Sequence, residues 1–169
     1  SATSLAGDRV IVAVFDVGSK GLVGLKRDFL DGLADVLAAR LAESGRYQVL
    51  PRSALKERLQ DSKKESYRNC VDQSCQIELG RELAAEQNLA SQVVKLGSGC
   101  IVSLSLYDLK KAASVAAATA ECGCGEDAIL KGAKEALGKL LGAVQAPDEE
   151  EKVLEAAAPP VKLERAAFE

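Results

Sequence analysis

The most constraining feature of the sequence is a strict alternation of side chains over residues 100–107, where every second residue is apolar or cysteine. Such a period of two predicts a β-strand with one face in the core. An Ala-rich segment returns after a short polar turn, so we predict an antiparallel hairpin. The predicted register places Ser103 opposite Thr119, Tyr107 opposite Val115 and Cys100 opposite Cys122.

The rest of the chain combines buried strands with amphipathic helices. The apolar, β-branched run from Arg9 to Val17 predicts a strand buried on both faces. Apolar residues at four-residue steps from Leu25 to Leu41 predict an amphipathic helix over Leu22 to Glu43. We therefore predict a single α/β domain with a mixed β-sheet, packed helices and the order β-α-β-α-α-β-β-β-α. Its predicted core includes Val12, Val14, Phe29, Leu33, Leu37, Val102, Leu104 and Leu137.

Composition divides the chain into three parts. We predict an entry segment over residues 1–8, an interaction domain over 9–145, and an acidic, Ala/Pro-rich tail or linker over 146–169. Residues 61–69 are polar and charged, which favours a long exposed loop. This loop is either simply solvated or a partner-binding surface, and its candidate contact residues are Lys63, Lys64, Tyr67 and Arg68.

Several functions are disfavoured by what the chain lacks. It has no His, which removes Ser-His-Asp catalysis and imidazole metal sites. Its net charge of −3 and its aromatic content of 4% argue against nucleic-acid binding. Since no Met is present, even at position 1, we expect the chain to be a processed or a trimmed form, from which any targeting segment has been removed. The sequence contains no run of about 18 apolar residues that would span a membrane. We predict no enzyme activity, no cofactor and no metal.

Five cysteines fall into a local pattern. Cys70 and Cys75 form C-x4-C, Cys122 and Cys124 form C-x-C, and Cys100 stands between the pairs. Paired cysteines favour disulfides in an oxidising compartment. We predict a Cys70–Cys75 bridge, and the hairpin register allows a second bridge between Cys100 and Cys122. Reduced, inert thiols and a cysteine-based redox or metal-binding protein are the alternatives.

The glycine-rich segment from Gly18 to Gly24 lies between a strand and a helix, where phosphate groups often bind. It matches neither G-x-G-x-x-G nor G-x-x-x-x-G-K-[ST], so we interpret it as a tight turn and keep nucleotide binding as a weak hypothesis. Asp16 precedes it at the end of the first strand and is predicted to cap the turn.

Four segments occur in an order typical of one protein family. They are the strand VIVAVFDV, the segment ESGRYQVLPRSALKERL, the Cys70–Cys75 motif leading into IELGRELAAEQNLASQVVKLGSG, and the hairpin LSLYDLKKAASVAAA. The pattern resembles the curli-secretion (CsgG) and TolB amino-terminal-like superfamily, which includes penicillin-binding-protein activator lipoproteins and a flagellar T-ring protein. The resemblance covers about residues 9–143, and it rests on core and turn positions rather than catalytic ones.

The resemblance implies a non-enzymatic, extracytoplasmic protein-interaction module of a Gram-negative cell envelope. The expected location is the periplasm or the outer membrane, and the expected partners are other envelope proteins of an assembly, secretion or motility machine. Contact with a membrane would be peripheral or through a lipid anchor. A pore is not implied, because the chain has no extra amphipathic hairpins of the kind that build the secretion channel.

Overall fold

The structure is a computed structural model, and it describes residues 9–61, 73–82 and 84–145. These residues form a mixed six-stranded sheet with packed helices, which confirms the predicted α/β class. The strands are β1 (Val10–Val14), β2 (Gly18–Lys20), β3 (Tyr47–Leu50), β4 (Gln87–Leu96), β5 (Gly99–Asp108) and β6 (Ala113–Cys122). The helices are α1 (Arg27–Glu43), α2 (Arg52–Asp61), α3 (Gln73–Glu82) and α4 (Glu126–Gln145).

The strand order is β3-β1-β4-β5-β6. β1 runs parallel to both β3 and β4, whereas β4, β5 and β6 form an antiparallel meander. β4 is long enough to pair with two strands in succession, with β1 at Leu89 and with β2 from Gln92. The short strand β2 lies in the segment that we predicted to be only a turn. Its pairing depends on β4, which follows much later in the chain.

The two faces of the sheet carry different layers. α1 and α4 cover one face, where they meet the large core that includes Val12, Leu89 and Leu104. On the opposite face, Ala13 and Phe15 of the β1 region pack with Leu55 of α2, and Cys75 of α3 lies against this smaller cluster. Strand side chains alternate between the faces, so β1 can serve both clusters.

The predicted core is confirmed at seven of its eight positions. Val12, Val14, Leu33, Leu37, Val102, Leu104 and Leu137 are each at most 2% exposed. The prediction for Phe29 was wrong, because this residue is only partly buried. Phe29 lies in the first turn of α1, which begins at Arg27 rather than at Leu22. Gly21 and Gly24 delay the helix, since both have positive φ angles, of 73° and 101°.

The predicted hairpin register is correct over most of its length. Ser103 lies opposite Thr119, and Cys100 lies opposite Cys122. Tyr107, however, lies opposite Ser114 rather than Val115. A bulge shifts the register after Leu106, and the side chain of Val115 is 48% exposed. An extra residue on one strand is the usual origin of such a shift.

Candidate functional site

The turns at one end of the sheet converge, and we call this the disulfide end. It comprises the loop 21–26 after β2, the tip 97–98 between β4 and β5, and the turn 123–125 between β6 and α4. Gly21, in the loop after β2, lies beside Lys95 near the end of β4. Gly99, at the start of β5, lies beside the carbonyl of Cys122 at the end of β6. The three turns are therefore next to one another.

A disulfide closes this end. Cys100 of β5 is bonded to Cys124, with a Cα–Cα distance of 5.2 Å. The predicted bridge between Cys100 and Cys122 is therefore wrong, and Cys122 is a free thiol. Directly opposite residues hold their Cβ atoms about 4.5–5.5 Å apart, which is wider than the roughly 3.8 Å that a disulfide prefers. Cys124 lies beyond the last ladder pair, between Gly123 and Gly125, where the backbone is free to approach Cys100.

The free thiol of Cys122 is half-buried under α4. A Cβ atom added at Gly132 would lie 3.0 Å from the Cys122 Cβ and 3.1 Å from its Sγ, so the helix backbone approaches this cysteine closely. Burial raises the pKa of the Cys122 thiol, and the negative charge of Glu135 raises it further. At neutral pH the group is therefore a weakly reactive thiol rather than a thiolate.

The other predicted cysteine pair lies at the start of α3. Cys75 is half-buried and takes part in a disulfide. Cys70 lies outside the described residues, so the Cys70–Cys75 pairing stays a prediction. The candidate contact residues Lys63, Lys64, Tyr67 and Arg68 also lie outside the described residues.

Arg52 and the three aspartates Asp16, Asp31 and Asp35 form a cluster where β1 and β3 end, and we call it the Arg52 cluster. The guanidinium of Arg52 donates hydrogen bonds to Asp16, to Asp35 at 2.9 Å and to Asp31, whose carboxylate lies at 3.1 Å and whose carbonyl lies at 2.9 Å. The Arg52 side chain is 9% exposed, whereas the Asp35 side chain is 66% exposed. Burial alone lowers the pKa of Arg52, but its hydrogen bonds to the three carboxylates outweigh burial and raise the pKa overall.

The cluster occupies a position where open α/β sheets often bind ligands. After β1 the chain continues through β2 into α1 on one face, and after β3 it continues into α2 on the other face. Ligands commonly bind in the crevice between two such diverging connections. Here the guanidinium of Arg52 lies among carboxylates, and both of its terminal nitrogens donate to protein groups. These ion pairs connect α2 with α1 and with the segment that follows β1.

Sequence reasoning missed Arg52, although a signal for it exists. Asp16 was predicted to cap a turn, and the structure pairs it with Arg52 across 36 residues of chain. Asp16 follows β1, and Arg52 follows its parallel neighbour β3. The carboxyl ends of adjacent parallel strands meet at one edge, so an acid and a base in these positions can pair. Asp31 and Asp35 lie one turn apart on α1 and complete the set.

The Gly18–Gly24 segment divides between β2 and an exposed loop, and Val23 is fully exposed within it. Over residues 9–61, 73–82 and 84–145, no group of three or more Cys, Asp or Glu side chains is arranged to hold a metal ion. In the same ranges no helix is both long and apolar enough to cross a membrane.

One long strand edge is open among the described residues. β6 pairs with β5 on one side, and no described strand pairs with its other side. Lys139 of α4 donates to the carbonyl of Thr119 at 3.3 Å and also pairs with Glu135 at 3.2 Å. An open edge of this length is a template for a further strand, and a lysine placed along it is a common protection.

The chain matches no known protein-family model and no curated protein. Its fold is nevertheless similar to solved structures. The LpoB C-terminal domain from Salmonella enterica superposes with a TM-score of 0.55 at 13% identity, covering 72% of this chain and 87% of that chain. The LpoB C-terminal domain from Escherichia coli superposes with a TM-score of 0.56 at 14% identity, covering 66% of this chain and 81% of that chain. Lipoprotein GNA1162 from Neisseria meningitidis superposes with a TM-score of 0.53 at 16% identity, covering 88% of this chain and 99% of that chain.

These likenesses, all at 16% identity or less, show a shared fold. They agree with the predicted resemblance at the level of the fold alone. The assignment to the CsgG and TolB amino-terminal-like superfamily stays a prediction.

Proposed function

We propose that this chain is a non-enzymatic protein-interaction module of a Gram-negative cell envelope, located in the periplasm or at the outer membrane. The observation that carries the proposal is the fold, which is shared with the LpoB C-terminal domain and with lipoprotein GNA1162 over most of the chain. The partners would be envelope proteins of an assembly, secretion or motility machine, and attachment to a membrane would be peripheral or through a lipid anchor.

Two features of the described residues support this proposal. The Cys100–Cys124 disulfide suits an oxidising compartment such as the periplasm. The Arg52 cluster places paired charges at the ends of β1 and β3, where open α/β sheets often bind small molecules. Because these charges are already paired with one another, a structural role of the cluster is favoured over ligand binding.

The partner surface is proposed at the loop residues Lys63, Lys64, Tyr67 and Arg68. A basic loop with one aromatic residue suits an acidic protein surface, because the charges steer association and the ring supplies apolar contact area. The chain offers a matched control at Lys110 and Lys111, another adjacent lysine pair, which is exposed in the turn between β5 and β6.

The test is quantitative capture of partners from a solubilised envelope fraction, with the purified protein as bait and mass spectrometry as readout. We expect the wild-type protein and the Lys110→Glu/Lys111→Glu variant to enrich the same envelope protein. The Lys63→Glu/Lys64→Glu variant should lose at least about tenfold of that enrichment, because both changes reverse charges that face the partner.

Two outcomes would contradict the proposal at different levels. Equal losses in both variants would show that the loop is not the specific contact surface. Residence of the protein in the cytoplasmic fraction, measured by fractionation of cells that express it from its natural gene, would remove the envelope assignment.

A further inference from the structure

Three cysteines meet at the disulfide end, although only two of them are bonded. Cys100 bonds to Cys124, while Cys122 is Cys100's direct neighbour across the β5–β6 ladder. The side chains of Cys100 and Cys122 share the face that packs against α4, because opposite residues of an antiparallel pair point the same way. Cys100 thus has two candidate sulfur partners, one of which is a free thiol.

Both pairings lie within the reach of a disulfide. Opposite residues in an antiparallel pair hold their Cα atoms about 4.5–5.5 Å apart, and bridges form over about 4.4–6.8 Å. To bond, the Cβ atoms of Cys100 and Cys122 must approach from about 4.5–5.5 Å to roughly 3.8 Å. Their pair is the last one of the β5–β6 ladder, and Gly99 and Gly123 flank it, so β6 can adjust at this end.

We propose that Cys100, Cys122 and Cys124 form a disulfide-exchange site in which Cys100 alternates between two partners. The thiolate of Cys122 attacks the Sγ of Cys100, a new Cys100–Cys122 bond forms, and the Cys100–Cys124 bond breaks. Cys124 leaves as a thiolate and takes up the proton that Cys122 gave up. The step is redox-neutral and needs no external oxidant or reductant.

The exchange changes which cysteine carries the free thiol. In the described pairing the free thiol is Cys122, which lies under α4 against Gly132 and next to Glu135, itself paired with Lys139. In the alternative pairing the free thiol is Cys124, on the glycine-flanked turn between β6 and α4. The exchange therefore moves the free thiol from the end of β6, under α4, to the turn before α4. This inference does not depend on the proposed partner binding.

The experiment locates the free thiol in the full-length oxidised protein. The protein is equilibrated at pH 9, quenched in acid, denatured and alkylated, and tandem mass spectrometry then assigns the label to Cys122 or Cys124. We expect label on both residues in the wild type, with Cys122 carrying the larger share. In Cys122→Ser the attacking thiol is absent, so the Cys124 label should fall by at least about tenfold.

A second variant tests the alternative bond directly. Cys124→Ser should form a Cys100–Cys122 bridge, seen as a linked peptide pair in an unreduced digest, and circular dichroism checks that the variant is folded. Two free thiols at Cys100 and Cys122 in the folded variant would overturn the proposal. Label confined to Cys122 in the equilibrated wild type would overturn it as well, whatever the variant shows.

Discussion

At the scale of single residues, Arg52 is the charged side chain with the most partners among the described residues. It bonds to Asp16, Asp31 and Asp35, which belong to the segment after β1 and to α1. Removing one partner of a buried ion pair leaves the remaining charges uncompensated, which costs more than the pair itself contributes. The three carboxylates are one-third to two-thirds exposed, so water moderates that cost here.

We expect Arg52→Met to lower the free energy of unfolding by about 1–3 kcal/mol, because the three carboxylates then repel one another and lose their donor. Arg52→Lys keeps the charge but loses the forked geometry, so its loss should be smaller. Urea denaturation followed by circular dichroism measures both. As a control, Asp35→Asn should change stability by less than about 1 kcal/mol, since Asp35 is mostly exposed. An unchanged urea midpoint for Arg52→Met would show that these ion pairs do not stabilise the fold.

At the scale of elements, α4 packs closely against β6 at a glycine. Gly132 is buried on α4 and faces Cys122, and an added Cβ would lie 3.0 Å from the Cys122 Cβ. The opposing atom is fixed to the strand backbone, so it has little freedom to move away. Gly138 lies on the same helix, and a Cβ there would meet nothing within 4 Å.

These two glycines make a matched pair of substitutions. Gly138→Ala should stabilise the protein by about 0.5–1 kcal/mol, because alanine favours the helix. Gly132→Ala gains the same helix propensity but overpacks the interface with β6, and we expect a net loss of about 1–2 kcal/mol. Thermal and urea unfolding of both variants measure the difference. Equal stabilisation by the two changes would mean that α4 lies farther from β6 than described.

At the scale of the whole molecule, the larger core lies between the sheet and the layer formed by α1 and α4. Leu33 and Leu37 of α1 are at most 2% exposed, and they pack in the same cluster as Leu137 of α4 and Leu104 of β5. Most of the apolar area that stabilises the fold is therefore concentrated on one face of the sheet.

Leu33→Ala should lower the free energy of unfolding by about 2–5 kcal/mol, through lost apolar contact and the cavity that remains. Leu96→Ala removes the same atoms from a side chain that is 60% exposed, and its effect should stay below about 1 kcal/mol. Chemical denaturation of both variants provides the comparison. A loss below about 1 kcal/mol for Leu33→Ala would indicate that α1 presents another face to the sheet.

The sequence by itself determined the fold class, most of the core and the hairpin register up to Leu106. These features follow from local periodicity, because a period of two or of about 3.6 residues states which side chains face the core. The Cys100–Cys122 register is one example, since it depends only on two alternating segments and the turn between them.

Only the tertiary structure decided the rest of the candidate site. β2 exists because β4 extends past the end of β1, and the Arg52 cluster joins residues up to 36 positions apart. The choice of Cys124 over Cys122 as the partner of Cys100 depends on how closely two Cβ atoms approach at the end of a ladder. Such contacts are set by distances between elements, which no local pattern in the chain encodes.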